Sequence, residues 1–347
     1  MAPKPLPAAK RISIKLLLSR LGRGLLAVLL SLLVMTSVLA QDPTTPRRVG
    51  ILMSGLAADP ATRNVLQALV DGLRERGWQE ERNVMLEARY AGPDPARFPE
   101  LAAELVALKV DVITTANTQA LDAARRNTTT LPIVMAGVTN PVKLGFVASF
   151  ARPGGNITGV VSQLETVVGK SLELLKEIKP GIERIGIIYS PDNVASAATF
   201  KVQQEEMAPR LGLIVLPIRI SKSTDFDEAF ATIARGRPQA LQVHPTPIVY
   251  AHRAKIAAFA IEQHLPTTSA FGVLTRDGLL MSYGYNDAAS WGHAASYVDR
   301  ILRGGNPAEM AVEQVDKFEL IINLKTARAI NIELPQTLLA RADELIE

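Results

Sequence analysis

The chain has no cysteine. That absence excludes disulfides, thiolate metal sites, a cysteine nucleophile and a lipid-modified amino-terminal cysteine. Aromatic residues are scarce, at 5% of 347, so the core is expected to be aliphatic. There is no G-x-S-x-G, no Gly-rich phosphate loop and no H-E-x-x-H. Signatures of nucleophile-elbow hydrolysis, NTP binding and zinc-protease chemistry are therefore missing. "GLRERG" (72–77) does not have the glycine spacing of a dinucleotide fingerprint. Of the four histidines, His252 and His264 fall in helical patterns that suit solvated or packed roles. No cofactor and no metal is expected.

Long hydrophobic runs are also scarce. The one present, "LLAVLLSLLVMTSVLA" at 25–40, follows a lead with six basic residues and no acid. It ends in small residues at the spacing of a cleavage site. Residues 1–40 thus read as a secretory signal peptide. The run is shorter than the roughly 20 residues of a spanning helix; left uncleaved, it would be a membrane anchor. Either way the positive flank stays inside and the rest of the chain is exported, to the periplasm. The whole chain carries 38 basic and 34 acidic residues. Without the leader the ratio is 32 to 34, a formal −2, which gives no case for a nucleic-acid partner.

The remaining length suits two domains. Short β-branched runs alternate with helical patterns almost throughout, as in "RRVGILM" (47–53), "VDVITT" (110–115), "LPIVMAG" (131–137), "RIGIIY" (184–189) and "ALQVH" (240–244). Asp59-Pro60 reads as a helix start, and Asp225 with Glu228 as a capping box. Such alternation implies parallel sheets with helices on both faces. The expected fold is α/β: two doubly wound parallel-sheet lobes joined by a three-segment hinge. Pro153-Gly154-Gly155 reads as a crossover between lobes. The boundaries are then 45–156 plus 283–313 for the first lobe and 157–282 plus 314–347 for the second. Hinge residues would be Asn156, Ile157, Thr158, Gly159, Met281, Ser282 and Tyr283.

In open parallel sheets, ligands bind beyond the carboxyl ends of the strands. Those positions nominate Ser54, Gly55, Asn117, Thr118 and Asn140 in the first lobe. In the second they nominate Ser190, Asp192, Asn193, His244 and Phe271. Most are small hydrogen-bonding residues at helix starts, where free N–H groups suit a carboxylate. Asp192 reads as the only acid of the set, and Phe271 as a stacking surface. The two competing functions are an exported α/β hydrolase using Asp192 and His244, and a ligand-sensing domain for a membrane receptor.

"SFARPGGNITGV" (149–160), "KSLELLKEI" (170–178), "GLLMSYG" (278–284), "YVDRILRGGNPAEMAVEQVDKFELIINLKTARAI" (297–330) and "LLARADELIE" (338–347) resemble the tryptophan/tyrosine-type substrate-binding proteins of ABC transporters. The resemblance covers about residues 47–347. It implies the type I periplasmic-binding fold, a monomer that captures a small molecule such as an amino acid, and delivery to an ABC permease with its ATPase subunits. It also implies membrane contact only through that permease. Asn140 stands where the family usually has Asp, Asp277 where it often has Gly, and 116–120 at a cleft-lining loop.

Overall fold

Strands β1 to β5 of the computed structural model are Arg47–Met53, Val84–Tyr90, Val112–Thr115, Ile133–Thr139 and Ile157–Ser162. Residues 45–115, 117–162, 164–315 and 317–347 are described; the signal-peptide reading of 1–40, and Ala116 of the cleft-lining loop, lie outside them. Helices α1 (Pro60–Glu75), α2 (Phe98–Ala107) and α3 (Thr118–Asn127) separate the first four strands. Strands β1, β3, β4 and β5 are largely buried on both faces, as parallel strands covered by helices must be, whereas β2 at the sheet edge is mostly half-exposed and carries Glu87 and Arg89.

The second half repeats the scheme. It runs α4 (Leu164–Ile178), β6 (Arg184–Tyr189), α5 (Val194–Val202), a π-turn at Gln203–Met207, α6 (Ala208–Arg210) and β7 (Ile214–Arg219). It continues through α7 (Phe226–Gly236), β8 (Ala240–Val243), α8 (Pro247–Ala251), α9 (Arg253–Glu262), β9 (Thr267–Ser269), α10 (Gly272–Arg276) and β10 (Met281–Tyr285). The tail is α11 (Asp287–Leu302), β11 (Glu313–Gln314), β12 (Phe318–Asn323), α12 (Leu324–Ala329), α13 (Gln336–Leu339) and β13 (Glu344–Ile346).

Two sheets result, ordered β11-β5-β4-β3-β1-β2 and β13-β12-β10-β9-β8-β6-β7. Every pairing is parallel except β10 with β12. The tail completes both lobes, as its small size required: β11 extends the first sheet, β12 and β13 the second. Helix α11 packs on α1, where Gly72 permits the contact. A Cβ there would lie 2.7 Å from the Ala295 methyl and 2.9 Å from the Gly292 carbonyl oxygen.

The points where the chain changes sheets differ from those the sequence suggested. Ile157–Ser162 pairs with β4 along its length, so the chain leaves the first sheet after Ser162. Asn156, Ile157, Thr158 and Gly159 therefore belong to the first lobe: Asn156 donates to the Leu131 carbonyl at 2.7 Å and Thr158 to that of Met310 at 2.7 Å. Pro153-Gly154-Gly155 is a loop within that lobe, tied by the Gly154 N–H to the Ala308 carbonyl at 3.2 Å. Met281, Ser282 and Tyr283 lie inside β10, in the second sheet. The chain returns to the first lobe between Tyr285 and Asp287 and leaves again after Gln314. A breaker-rich loop marks a break in regular structure; it does not say which sheet the next strand joins.

Two local readings also change. Asp225 caps backwards, accepting from the N–H groups of Ser221 at 2.8 Å and Lys222 at 3.0 Å. Glu228 instead pairs with Arg235 on the surface at 2.6 Å. The helix that the sequence around Pro209 suggests, 196–212, with the proline bending or fraying it, instead runs through the π-turn directly into α6, which accommodates a ring that cannot donate to the preceding turn. Among the described residues no helix is long and apolar enough to cross a membrane.

Candidate functional site

The strand ends of both sheets converge on a cavity of about 80 Å³ between the lobes. From the first lobe come Ser54 after β1, Asn117 and Thr118 at the start of α3, and Gly137 and Thr139 of β4. From the second come Asn193 before α5, His244 and Thr246 after β8, Tyr250 of α8 and Phe271 after β9. The β10–α11 junction adds Tyr285, Asp287 and Trp291. An outer cavity of about 420 Å³ continues from it and shares Val65, Tyr250, Phe271, Tyr285 and Asp287.

Local hydrogen bonds fix the polar wall. The Asn117 Oδ1 accepts from the Ala120 N–H at 3.0 Å, while its Nδ2 donates to the Ser54 hydroxyl at 2.7 Å. The same side chain thus caps a helix and joins two strand ends. Asn193 caps α5 through the Ser196 N–H at 2.9 Å. Thr139 and Ser162 share a hydroxyl–hydroxyl bond at 2.8 Å. The hydroxyl of Thr246 is buried and has no partner among the described residues. A buried unpaired hydroxyl costs about 1–3 kcal/mol, so it is a ready partner for a ligand atom.

His244 is occupied rather than available. Its Nε2 lies 2.5 Å from Gln203 Oε1 and its Nδ1 3.1 Å from the Ser196 hydroxyl. Gln203 in turn donates to Gln242 at 2.5 Å, and Gln242 to the Val168 carbonyl at 3.1 Å. With Nε2 protonated, every member of this chain is satisfied. Burial pushes the His244 pKa down to about 4. An imidazole kept neutral loses stability as pH falls from about 6.5 toward 4, because the unfolded state takes up the proton first. Replacing His244 with Ala should cost about 2–3 kcal/mol by stranding Gln203 and Ser196. It should also remove that part of the acid sensitivity, as urea unfolding at pH 7 and pH 4.5 would show.

The predicted residues divide into those on the cavity and those beside it. Ser54, Asn117, Thr118, Asn193, His244 and Phe271 line it. Gly55 lies just outside with φ +80; a Cβ there would meet Thr62 Oγ1 at 2.4 Å and the Tyr250 ring at 3.0 Å, so this glycine lets the opposite lobe approach. Ser190 sits beneath the wall, its N–H donating to the Ser196 hydroxyl at 3.1 Å. Asn140 takes a left-handed turn, φ 49, past the end of β4 and does not line the cavity. Asp192 is exposed and lines a separate groove with Arg125, Arg126 and Phe146. One step along the loop turns its side chain away from the wall that Asn193 faces. The acid of the cleft is Asp287, which sequence reading missed. Burial raises its pKa to about 7. It follows the N-cap Asn286, so in sequence it looks like an ordinary first-turn acid. Tyr250 was missed as well, because it reads as the interior of a helix.

At the cleft mouth a charged cluster crosses between the lobes. Arg253 of the second lobe donates to Asp59, the N-cap of α1 in the first, at 2.8 Å. It also pairs with Asp277 and lies 4.7 Å from the centre of the Tyr250 ring. Arg253 and Asp59 keep only 15% and 12% of their side-chain exposure, so removing the cation leaves a largely buried carboxylate unpaired. Arg253→Ala should cost about 1–3 kcal/mol and enlarge the ligand-free molecule in X-ray scattering. An unchanged scattering profile would mean that this contact does not hold the lobes together.

Residues 51–346 match the family model described as ABC transporter substrate binding protein. The chain is 26% identical over 295 residues to a tyrosine-binding protein of Clostridioides difficile (strain R20291), covering 84% of this chain and 83% of that one. A conserved domain protein of Vibrio cholerae superposes with a TM-score of 0.79 at 27% identity, covering 87% of this chain and all of that one. An ABC domain from Streptococcus pneumonia in complex with L-Trp also gives 0.79, at 21% identity, 87% of this chain and 100% of that one. Periplasmic binding proteins of type I share the two-lobed architecture.

Proposed function

The chain belongs to the ABC transporter substrate-binding protein family, and from that membership we propose that it captures a small ligand, an amino acid or a close analogue, by closing its two lobes. The observation that carries this reading is the cavity between the carboxyl ends of two parallel sheets, walled by both lobes and bridged at its mouth by Arg253 and Asp59. A ligand touching both walls favours the closed form only by its differential affinity for it. The relatives bind tyrosine or tryptophan by their names, and the rings of Tyr250, Phe271, Tyr285 and Trp291 give this cavity an aromatic side.

Micromolar affinity corresponds to about −8 kcal/mol. Several hydrogen bonds at about 0.5–1.5 kcal/mol each, with one buried ring at about 1.5–3 kcal/mol, reach that size. The free N–H groups at the starts of α3 and α5, with the Thr246 hydroxyl, suit a carboxylate. Export through a cleaved leader, residence in the periplasm as a monomer, and delivery to a permease with its ATPase subunits complete the proposal.

Hydrolysis has little support in the geometry. His244 has both nitrogens engaged and no carboxylate partner, and Asp192 faces another groove. A thermal-shift screen of amino acids and analogues tests the reading. A ligand at 100 times its dissociation constant should stabilise the fold by about 2.7 kcal/mol. No shift across the panel, with turnover of a chromogenic ester, would reverse it.

A further inference from the structure

Asp287 is the one charged side chain on the inner cavity wall among the described residues; no Lys or Arg lines that cavity. It opens α11 and borders both the inner and the outer cavity. No hydrogen bond reaches its carboxylate among the described residues, in contrast to the neighbouring caps Asn286, Asn117 and Asn193. Both guanidinium groups of the outer cavity are engaged elsewhere: Arg253 is shared between Asp59, Asp277 and the Tyr250 ring, and Arg276 pairs with Glu344. Rings from three elements line both cavities with the acid: Tyr250 on α8, Phe271 after β9, and Tyr285 on β10. Phe271 and Tyr285 meet edge to face at 5.3 Å.

A carboxylate without a cation, set among aromatic rings, is costly in an empty site and suits an organic cation. The carboxylate supplies the opposite charge, and ring faces attract a positive nitrogen that has left water. We propose that the ligand carries a cationic nitrogen, a primary or alkylated ammonium, that docks on Asp287 between the rings of Tyr250, Phe271 and Tyr285. This rests on the reading of the cavity as a small-molecule site and narrows its ligand class. Asp287 is then a specificity-determining residue: it selects for positive charge and rejects analogues that keep a carboxylate but lack the amine. The groups facing it are the phenols of Tyr250 and Tyr285, Asp59 from α1, Arg253 from α9, Arg276 and Asp277 at the end of α10, and Glu319 from β12. Since Asp287 must be ionised to hold a cation, affinity should fall by up to about tenfold for each pH unit below its pKa of about 7, until the lower pKa that the carboxyl takes beside the bound cation is reached.

The test is calorimetric titration with two matched sets of probes: L-tryptophan, tryptamine and indole-3-propionate, and L-tyrosine, tyramine and 3-(4-hydroxyphenyl)propionate. Amine-bearing members should bind, and the propionates should not. Asp287→Asn should weaken amine binding about 30-fold or more and flatten its pH profile between 5 and 8, while Asp287→Glu should restore part of both. Propionates that bind as well as the amines, or an Asp287→Asn protein with unchanged affinity and pH profile, would overturn the inference and leave the binding reading intact. Binding by no member would overturn both the cation assignment and the aromatic amino-acid class. The broader reading as a small-molecule binder would then fall only if native mass spectra also showed no retained molecule.

Discussion

Tyr285→Ala should lower the unfolding free energy by about 3–5 kcal/mol, the usual cost of deleting a buried ring. That is a large share of the roughly 5–15 kcal/mol that holds a domain folded. The residue is 5% exposed. Its backbone ends β10 in the second sheet, yet its ring lies against the first. The hydroxyl donates to the Gly137 carbonyl at 3.4 Å, and the ring packs on Phe271. Gly137 makes room for it: φ there is +99, and a Cβ would stand 3.3 Å from the phenol oxygen. Tyr285→Phe should cost about 1 kcal/mol or less, since a bond of that length contributes little. Urea unfolding of both variants separates ring from hydroxyl. Equal losses would mean that the hydroxyl, rather than the packed ring, joins the two sheets.

The second large effect concerns pH. Asp287 is half-buried in the cleft, and the loss of water around it raises its pKa from 3.8 to about 7. A carboxyl whose folded pKa lies above its unfolded value binds its proton more tightly when folded. Its contribution to stability is therefore present in acid and is lost as pH rises from about 4 to about 7. At pH 8 the empty protein carries an uncompensated half-buried charge, and Asp287→Asn should be more stable than the parent by about 1–3 kcal/mol. At pH 4 the two should coincide. The sign is opposite to that of His244, whose burial penalises low pH, so the difference curves of the two variants should slope in opposite directions. Thermal unfolding across pH 4 to 8 measures both. A stabilised variant that binds poorly is the usual exchange between stability and a functional site.

Much of this arrangement could be read from the sequence, for reasons that particular residues make plain. Runs such as Val112–Thr115 and Ile133–Thr139 are rich in β-branched residues and buried on both faces, as strands covered by helices must be. Ser54, Asn117, Asn193 and His244 could be placed on the cavity wall because a parallel sheet sets its strand ends on one side. The changeover points were not legible. β5 looks the same whichever sheet it joins, and only its pairing with β4 assigns it. Asp192 and Asn193 are neighbours in a loop with no periodicity, so nothing local says which of them faces the cavity. Asp287 was hidden by its place after a helix cap, where an acid is expected for reasons unrelated to a ligand. Tyr250 reaches the site from a five-residue helix that the sequence pattern runs together with α9, so it reads as part of one longer helix.

The central claim is that two lobes shut around a molecule and leave it unchanged. X-ray scattering of the protein, unfolded to empty it, refolded and titrated with amino acids and their decarboxylated amines, tests it most directly. The account predicts that at least one compound reduces the radius of gyration and is recovered chemically intact after denaturation. A radius that stays constant across the panel, or a bound compound recovered as a reaction product, would contradict it.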